Sequence, residues 1–255
     1  MNVVLFSGGV ASWGAARRLA DNGEDMVLLF TDTKTEDADL YRFLEEAAAD
    51  IGAPLVKVAD GRDIWQVFRD ERYLGNTRAD PCSRILKREL ARKWVEANAP
   101  DSPIVLGYDW TELHRHERAV AAWAPRAVMS PLTEPPYRLR AHLFADLESR
   151  GILPPRLYGY GFEHNNCGGG CVKAGVTHFL RLLDTLPDVY AEWERHEQEM
   201  RDLLGDVSIL RDRAGGETTP LTLAALRVRP RESVPLDMWG GCGCFEEPES
   251  AGTAA

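Results

Sequence analysis

Val3-Val4-Leu5-Phe6-Ser7-Gly8-Gly9-Val10-Ala11-Ser12 is the stretch that decides the fold. Four apolar residues in a row, three of them β-branched or aromatic, read as a buried strand. The residues from Ala11 to Asn22 carry the apolar spacing of a helix. Between the two, a pair of glycines lets the chain turn tightly and bring backbone N–H groups close to an anion. Ser7 and Ser12 add hydroxyl donors beside the helix N-terminus. A phosphate or sulfate seat is the physical reading, and a plain strand-to-helix turn is the alternative. The spacing is neither the Walker pattern, since no Gly-Lys-Ser or Gly-Lys-Thr follows, nor that of the dinucleotide fingerprint.

Outward from this loop, strand-length apolar runs alternate with helix-length amphipathic ones. Met26 to Thr31 precedes Asp37 to Ile51, and Leu55 to Val58 precedes Ile64 to Leu74. A helix from Cys82 to Ala97, a strand from Ile104 to Gly107, a helix from Thr111 to Trp123 and a short strand from Ala127 to Met129 complete the series. This rhythm predicts an α/β fold, a Rossmann-like parallel sheet with helices on both faces. Right-handed crossovers place the C-terminal ends of all strands on one edge, where open sheets bind ligands. Phe30-Thr31-Asp32-Thr33 and Leu106-Gly107-Tyr108-Asp109 end on that edge. Asp32, Thr33 and Gly107 therefore join Ser7, Gly8, Gly9, Val10 and Ser12 as candidate nucleotide-binding residues. Helix capping, with Thr33 as N-cap and Glu36 three residues on, is the other reading of the acidic stretch.

The 255 residues include 30 Lys and Arg against 40 Asp and Glu, a formal charge of −10 that gives no general attraction for a phosphate backbone. Apolar runs such as Met26 to Phe30 are too short to cross a bilayer, and the N-terminus has no basic flank or long apolar region. A soluble, cytoplasmic protein without a membrane partner is expected. After Pro131 the alternation breaks at Pro135-Pro136, Pro154-Pro155 and the glycine-rich Tyr158 to Gly170 segment. Two helices, Val176 to Leu186 and Val189 to Leu204, and a hairpin of Ser208 to Arg211 with Leu221 to Arg229 follow. The expected organisation is a nucleotide-binding domain over residues 1–133 and a smaller helical, cysteine-containing C-terminal region over residues 134–255.

Five cysteines, an odd number, favour metal binding or thiol chemistry over a disulfide framework. Asp80-Pro81-Cys82 reads as the N-cap and first two residues of a helix, which places the Cys82 thiol in a field that favours thiolate. Three glycines separate Cys167 from Cys171, a spacing that lets both sulfurs face one ion. Cys242-Gly243-Cys244 is again glycine-spaced. Two such pairs are enough for a tetrahedral zinc site, and iron–sulfur clusters also take four thiolates.

His114, Arg115, His116 and Arg118, with Arg138 and Arg140, are cations near the sheet edge; Arg115 is the preferred one for binding phosphate or sulfate oxygens through its planar fork. His164-Asn165-Asn166 is either a turn or a source of hydrogen bonds to ligand sulfurs. Tyr190, Trp193, His196 and Met200 recur at helical spacing, a packing face. Arg227, Arg229 and Arg231 alternate along a strand-like segment and are candidates for contact with a nucleic-acid backbone.

With Ser7-Gly8-Gly9 and Ser12, the chain resembles the PP-loop, or adenine nucleotide alpha hydrolase-like, superfamily, and specifically its phosphoadenosine phosphosulfate (PAPS) reductase branch. The resemblance rests on Asp32-Thr33 after the second strand, on Cys82-Ser83-Arg84-Ile85-Leu86-Lys87, and on Gly107 with Glu112 and Arg115. Pro131-Leu132, Tyr158-Gly159, Cys167 and Cys171 extend it over roughly residues 1 to 175. It implies an enzyme acting on ATP or a PAPS-type nucleotide in sulfur-related chemistry, reductase-like or sulfotransferase-like. The alternatives are an ATP pyrophosphatase that adenylates a nucleic-acid base or small molecule, and a non-catalytic nucleotide or nucleic-acid binding module with structural zinc.

The implied cofactors, besides the nucleotide, are a 4Fe-4S cluster, with zinc as the alternative, and magnesium. Cys82, Cys167, Cys171 and Cys244 are the implied ligands, Cys242 a reactive thiol, and Arg115 a catalytic cation. Two departures stand out. Val10-Ala11 occupy the loop positions where many ATP-cleaving relatives have Lys-Asp, and the tail reads Gly241-Cys242-Gly243-Cys244-Phe245 where assimilatory reductases carry Glu-Cys-Gly.

Overall fold

The computed structural model describes residues 1–77, 79–212 and 217–230. Five parallel strands form the central sheet: β1 (Asn2–Leu5), β2 (Met26–Asp32), β3 (Leu55–Ala59), β4 (Ile104–Val105) and β5 (Val128–Met129), in the order β3-β2-β1-β4-β5. Their connections contain helices α1 (Val10–Asp21), α2 (Ala38–Ile51), α3 (Ile64–Asp70), α4 (Pro81–Ser83), α5 (Leu90–Asn98) and α6 (Leu113–Trp123). A π-helical stretch, Arg84–Glu89, joins α4 to α5. Because side chains alternate across a strand, Val4 and Phe6 face one core with Leu28 and Phe30, while Val3 and Leu5 face another with Val27 and Leu29. Trp13 of α1 and Phe43 and Leu44 of α2 fill the first core; Ala91 and Val95 of α5 and Ala119 and Trp123 of α6 fill the second. All seven residues of β2 are buried, as expected for a strand covered on both faces. The α/β reading, with helices on both faces of a parallel sheet, holds.

Beyond β5 come α7 (Arg140–Ser149), α8 (Arg156–Gly159), α9 (Val176–Thr185), α10 (Pro187–Leu204), the antiparallel pair β6 (Leu210–Asp212) and β7 (Thr219–Leu221), and α11 (Leu223–Val228). Helix α7 returns to the sheet and packs Leu143 and Leu147 into the core of α1. Helices α9 to α11 build a third core with α3, the π stretch and the small hairpin, and Tyr190, Trp193 and Met200 are buried in it. The packing face read along α10 is real, and His196 stacks on Trp65 with ring centroids 4.6 Å apart. Among the described residues no helix is long and apolar enough to cross a membrane.

Three local expectations need correction. The N-cap of α2 is Asp37, whose carboxylate accepts from Asp39 N–H, whereas the Thr33 hydroxyl donates to Glu36. The hairpin is shorter than expected, because the Thr222 side chain caps Ala225 N–H and the run from Leu223 buries Leu223 and Leu226 on one helical face. Arg227 and Arg229 consequently do not alternate along a strand: Arg227 pairs with Glu194 and Arg229 with Asp212, and Arg231 lies outside the described residues.

Candidate functional site

Strand order reverses between β1 and β4, since the chain builds β1-β2-β3 in one direction and then returns to the other side of β1. At such a switch point the loops after the two strands diverge and leave a crevice. A cavity of about 290 Å³ lies there, walled by Ser7, Gly9, Val10 and Ser12 after β1, Gly107 after β4, and Arg115 of α6. The loop is ordered by its own polar groups. Ser12 Oγ donates to Gly9 carbonyl at 2.8 Å, Val10 N–H donates to Tyr158 Oη at 3.3 Å, and Asn165 Nδ2 donates to Gly8 carbonyl at 3.3 Å. Gly9 is the N-cap of α1 and has no side chain to cap it, the Val10 N–H is taken by Tyr158, and the first turn contains no acidic residue. The positive end of α1 therefore has no carboxylate in its first turn, an arrangement that favours an anion. A Cβ on Gly107 would lie 2.6 Å from Ser12 N, so only glycine lets the β4 loop close against the first turn of α1.

The far wall carries cations. Arg115 pairs with Glu112 and lies 4.6 Å over the Tyr108 ring. Arg140, the first residue of α7, also lines the cavity beside Glu163, His164, Asn165 and Asn166. Burial, followed by the charges of Arg140 and Arg115, pulls His164 down to about 4, so its imidazole is neutral near pH 7. The wall can receive an anionic group that lacks a loop lysine to hold it.

Asp32 and Thr33 lie apart from this cavity. Asp32 accepts from Tyr41 Oη at 2.8 Å and from Lys34 N–H at 2.8 Å. Burial and that carboxylate together push the Tyr41 phenol well above its ordinary range. Thr33 instead borders a second, much smaller cavity of about 20 Å³, shared with Cys82, Cys167, Cys171, Ser83, Lys87 and Lys173. Three cysteines from two distant segments thus border one small cavity, the grouping that the family resemblance implies for Cys82 with Cys167 and Cys171. Among the described residues, however, no group of three His, Cys, Asp or Glu side chains is arranged to hold a metal ion. Cys242 and Cys244 lie outside the described residues.

The second cavity is held by buried ion pairs. Lys87 Nζ is 3.4 Å from Glu36 Oε1, with side chains 7% and 2% exposed. Glu36 also accepts the Cys167 N–H at 2.7 Å, which fixes that residue at a left-handed φ of 51°. Asp80 lies between Arg88 at 3.4 Å and Lys173 at 3.6 Å. The wall opposite is Trp193, which approaches Gly170 so closely that a Cβ there would come within 2.1 Å of the indole. Glu36, Asn165 and Tyr158 act through contacts more than a hundred residues away in sequence, which no local pattern signals. Arg140, expected near the sheet edge, lines the first cavity, and His164, read as a turn or a source of hydrogen bonds to ligand sulfurs, lines the same cavity.

No family model matches the chain, and no curated protein matches it. Solved structures with a similar course of chain include PAPS reductase from Candida auris in a phosphate complex, at 14% identity and a TM-score of 0.48 over 66% of this chain and 81% of that one. NH3-dependent NAD synthetase from Campylobacter jejuni matches at 12% identity and a TM-score of 0.40 over 80% of this chain and 83% of that one. A predicted tRNA methyltransferase subunit from Methanocaldococcus jannaschii matches at 17% and 0.31 over 60% and 90%.

Proposed function

We propose that this chain is a PP-loop enzyme that seats the phosphate end of an adenine nucleotide on Ser7 to Ser12 and acts at that end. The observation that carries this reading is the cavity at the switch point, lined by a helix N-terminus with no acidic residue in its first turn, by a glycine loop, and by Arg115 and Arg140. A nucleotide with its phosphates on the loop meets N–H donors and cations already in place, so charge that develops on a phosphoryl or sulfuryl group is stabilised without reorganisation. Arg115 and Arg140 take the part that a lysine in the loop would play.

Two reactions fit the seat. In a PAPS reductase-like reaction a thiolate attacks the sulfur of a sulfonucleotide, the bond from that sulfur to the phosphate oxygen breaks, the adenosine phosphate leaves, and a second thiol then displaces sulfite from the protein-bound thiosulfonate to leave a disulfide. In the adenylation reading, a substrate oxygen attacks the α-phosphorus of ATP, the bond to the bridging oxygen breaks, and pyrophosphate leaves. Of the described thiols, Cys82, Cys167 and Cys171 border the small cavity and none lines the nucleotide cavity, so the reductase reading draws its nucleophile from Cys242, which lies outside the described residues. Those three thiols, with Cys244, are our proposed ligands for an iron–sulfur cluster or zinc. Thiolates are the donors that such a group takes, and these three share one small cavity, although among the described residues no three donors are arranged around one point.

Calorimetric titration with AMP, ATP and PAPS, followed by assays for pyrophosphate and sulfite, tests the reading. Pyrophosphate release supports adenylation, sulfite supports reduction, and binding without turnover assigns a binding module. No affinity for any of the three nucleotides would overturn the proposal. Metal and sulfide analysis of anaerobically purified protein tests the cluster separately: neither iron nor zinc in the full chain removes that part.

A further inference from the structure

The mouth of the nucleotide cavity carries aromatic and aliphatic side chains that nothing covers among the described residues. Trp110 is 42% exposed and Tyr137 56%, with their ring centroids 5.9 Å apart. Leu113 and Leu139 beside them are 49% and 53% exposed. Trp110 sits between Asp109 and Thr111, both of which line the cavity, and Tyr137 precedes Arg140, which lines it too. The exposed pair therefore stands beside residues that wall the cavity.

The two segments that carry these side chains, residues 110–118 and 137–142, contain four arginines and three histidines against two glutamates, in a chain whose net charge is −10. Of the nearby carboxylates, Glu112 is taken by Arg115 and Asp146 by Arg138. Arg140 is exposed and makes no ion pair among the described residues, at the first position of a helix where a cation is unfavourable. His114 and Arg118, four residues apart on α6, are exposed as well and extend the cationic face away from the rim.

Flat rings with adjoining cations suit bases and phosphates of a flexible strand. Stacking on aromatic side chains needs unpaired bases, and the arginines give the salt-dependent part of the affinity. We infer that this rim is a docking surface for a single-stranded nucleic acid, with bases stacked on Trp110 and Tyr137 and the backbone along Arg140 and Arg118. The inference rests on the adenylation reading above and names its acceptor class: a nucleotide of the strand, presented at the cavity mouth. It also moves the nucleic-acid surface away from Arg227 and Arg229, which are engaged by acidic partners.

The test is fluorescence anisotropy of labelled single-stranded RNA and DNA twelve-mers, and of the matching duplex, with AMP affinity measured on the same protein samples. The expected result is binding of a single strand at low salt that weakens as salt rises. Trp110→Ala and Tyr137→Ala should each lose about tenfold in strand affinity, in line with the loss of one stacked base, and Trp110→Phe should recover most of it. AMP affinity should not change in Trp110→Ala, because neither ring lines the cavity. Failure of the wild-type protein to bind either strand, equal binding of the duplex, or full affinity in both alanine variants would overturn the surface. Self-association of the wild-type chain that disappears in Trp110→Ala, with no strand bound, would assign the rim to a second copy instead and overturn it too. AMP binding without strand binding removes the surface alone, whereas strand binding without AMP binding removes the nucleotide reading and leaves the surface standing.

Discussion

The two cavities of this protein are built in opposite ways. The nucleotide cavity is made by two short loops that leave adjacent strands, and its shape follows from β1, β4 and the first turn of α1. The thiol cavity is assembled inside the third core from the segment around Cys82, the loop from Cys167 to Cys171 and α10, and is held by charges buried between them. A site of the first kind rests on close backbone approach, so a Cβ at Gly107 disturbs it directly. One of the second kind depends on each clamp.

The largest expected effect follows from the buried pair of Lys87 and Glu36. Lys87→Met leaves Glu36 as a buried charge without its cation, a loss on the scale of about 3–5 kcal/mol. Thermal and urea unfolding should show it, and the double variant Lys87→Met with Glu36→Gln should lose clearly less than the single one, because the stranded charge is gone. AMP affinity of the folded fraction should stay within about threefold. An equal collapse of AMP binding would show that the cavities are one unit and break the comparison.

The glycines sharpen it. Gly107→Ala forces a methyl onto Ser12 N and the adjoining backbone, and Gly170→Ala forces one onto the Trp193 ring. Overpacking of either kind costs about 1–3 kcal/mol. The two should differ in function: Gly107→Ala is expected to lose about tenfold or more in nucleotide affinity as the first turn of α1 shifts, whereas Gly170→Ala should leave it nearly unchanged. Paired titration and melting curves check this, and equal affinities in the two variants would refute it.

The same contrast explains what the sequence discloses. The loop from Ser7 to Ser12 and the strand end at Gly107 are legible because each is a local pattern, apolar run then small residues then helix, and the parallel order then brings them together. Asp32 and Thr33 end β2 on the other side of β1 from the switch point, where they bond Tyr41, Lys34 and Glu36 and do not line the cavity. Spacing pairs Cys167 with Cys171, and only the family resemblance adds Cys82; the role of Glu36 here is not legible at all, since a buried carboxylate that receives the N–H of Cys167 is defined by a contact 131 residues away. The helix at Leu223 was missed because six residues with alternating arginines at their end fit a strand as well as a helix until Thr222 is recognised as a cap.

A smaller effect is expected at Tyr158, whose hydroxyl receives the Val10 N–H at 3.3 Å. Tyr158→Phe removes one neutral acceptor from the loop, worth about 0.5–1.5 kcal/mol. The freed N–H can then turn to a bound phosphate, so the variant should be slightly less stable alone and recover part of that loss with AMP. Melting curves with and without AMP measure both terms; a loss that AMP does not reduce would mean that Val10 N–H does not reach the ligand.

The pH response of His164 sets the finest test of how the nucleotide wall works. Its folded value of about 4 lies below the 6.5 of a free imidazole, so between those values the unfolded chain takes up a proton that the folded one refuses. Stability should therefore fall as pH drops from about 6.5 toward 4 and flatten below. The part due to this half-buried ring is of order 1–2 kcal/mol after solvent screening, and it should vanish in His164→Gln. Burial is the first cause, and Arg140 and Arg115 the next, with Glu163 opposing them and His178 adding to them. An anion seated between the arginines cancels their repulsion, so saturating AMP should raise the His164 value seen by NMR, and by reciprocity AMP should bind more tightly as pH falls through that range. An unmoved imidazole in the presence of bound AMP would place the phosphates wholly on the Ser7 to Ser12 side and leave Arg140 to the docking rim alone.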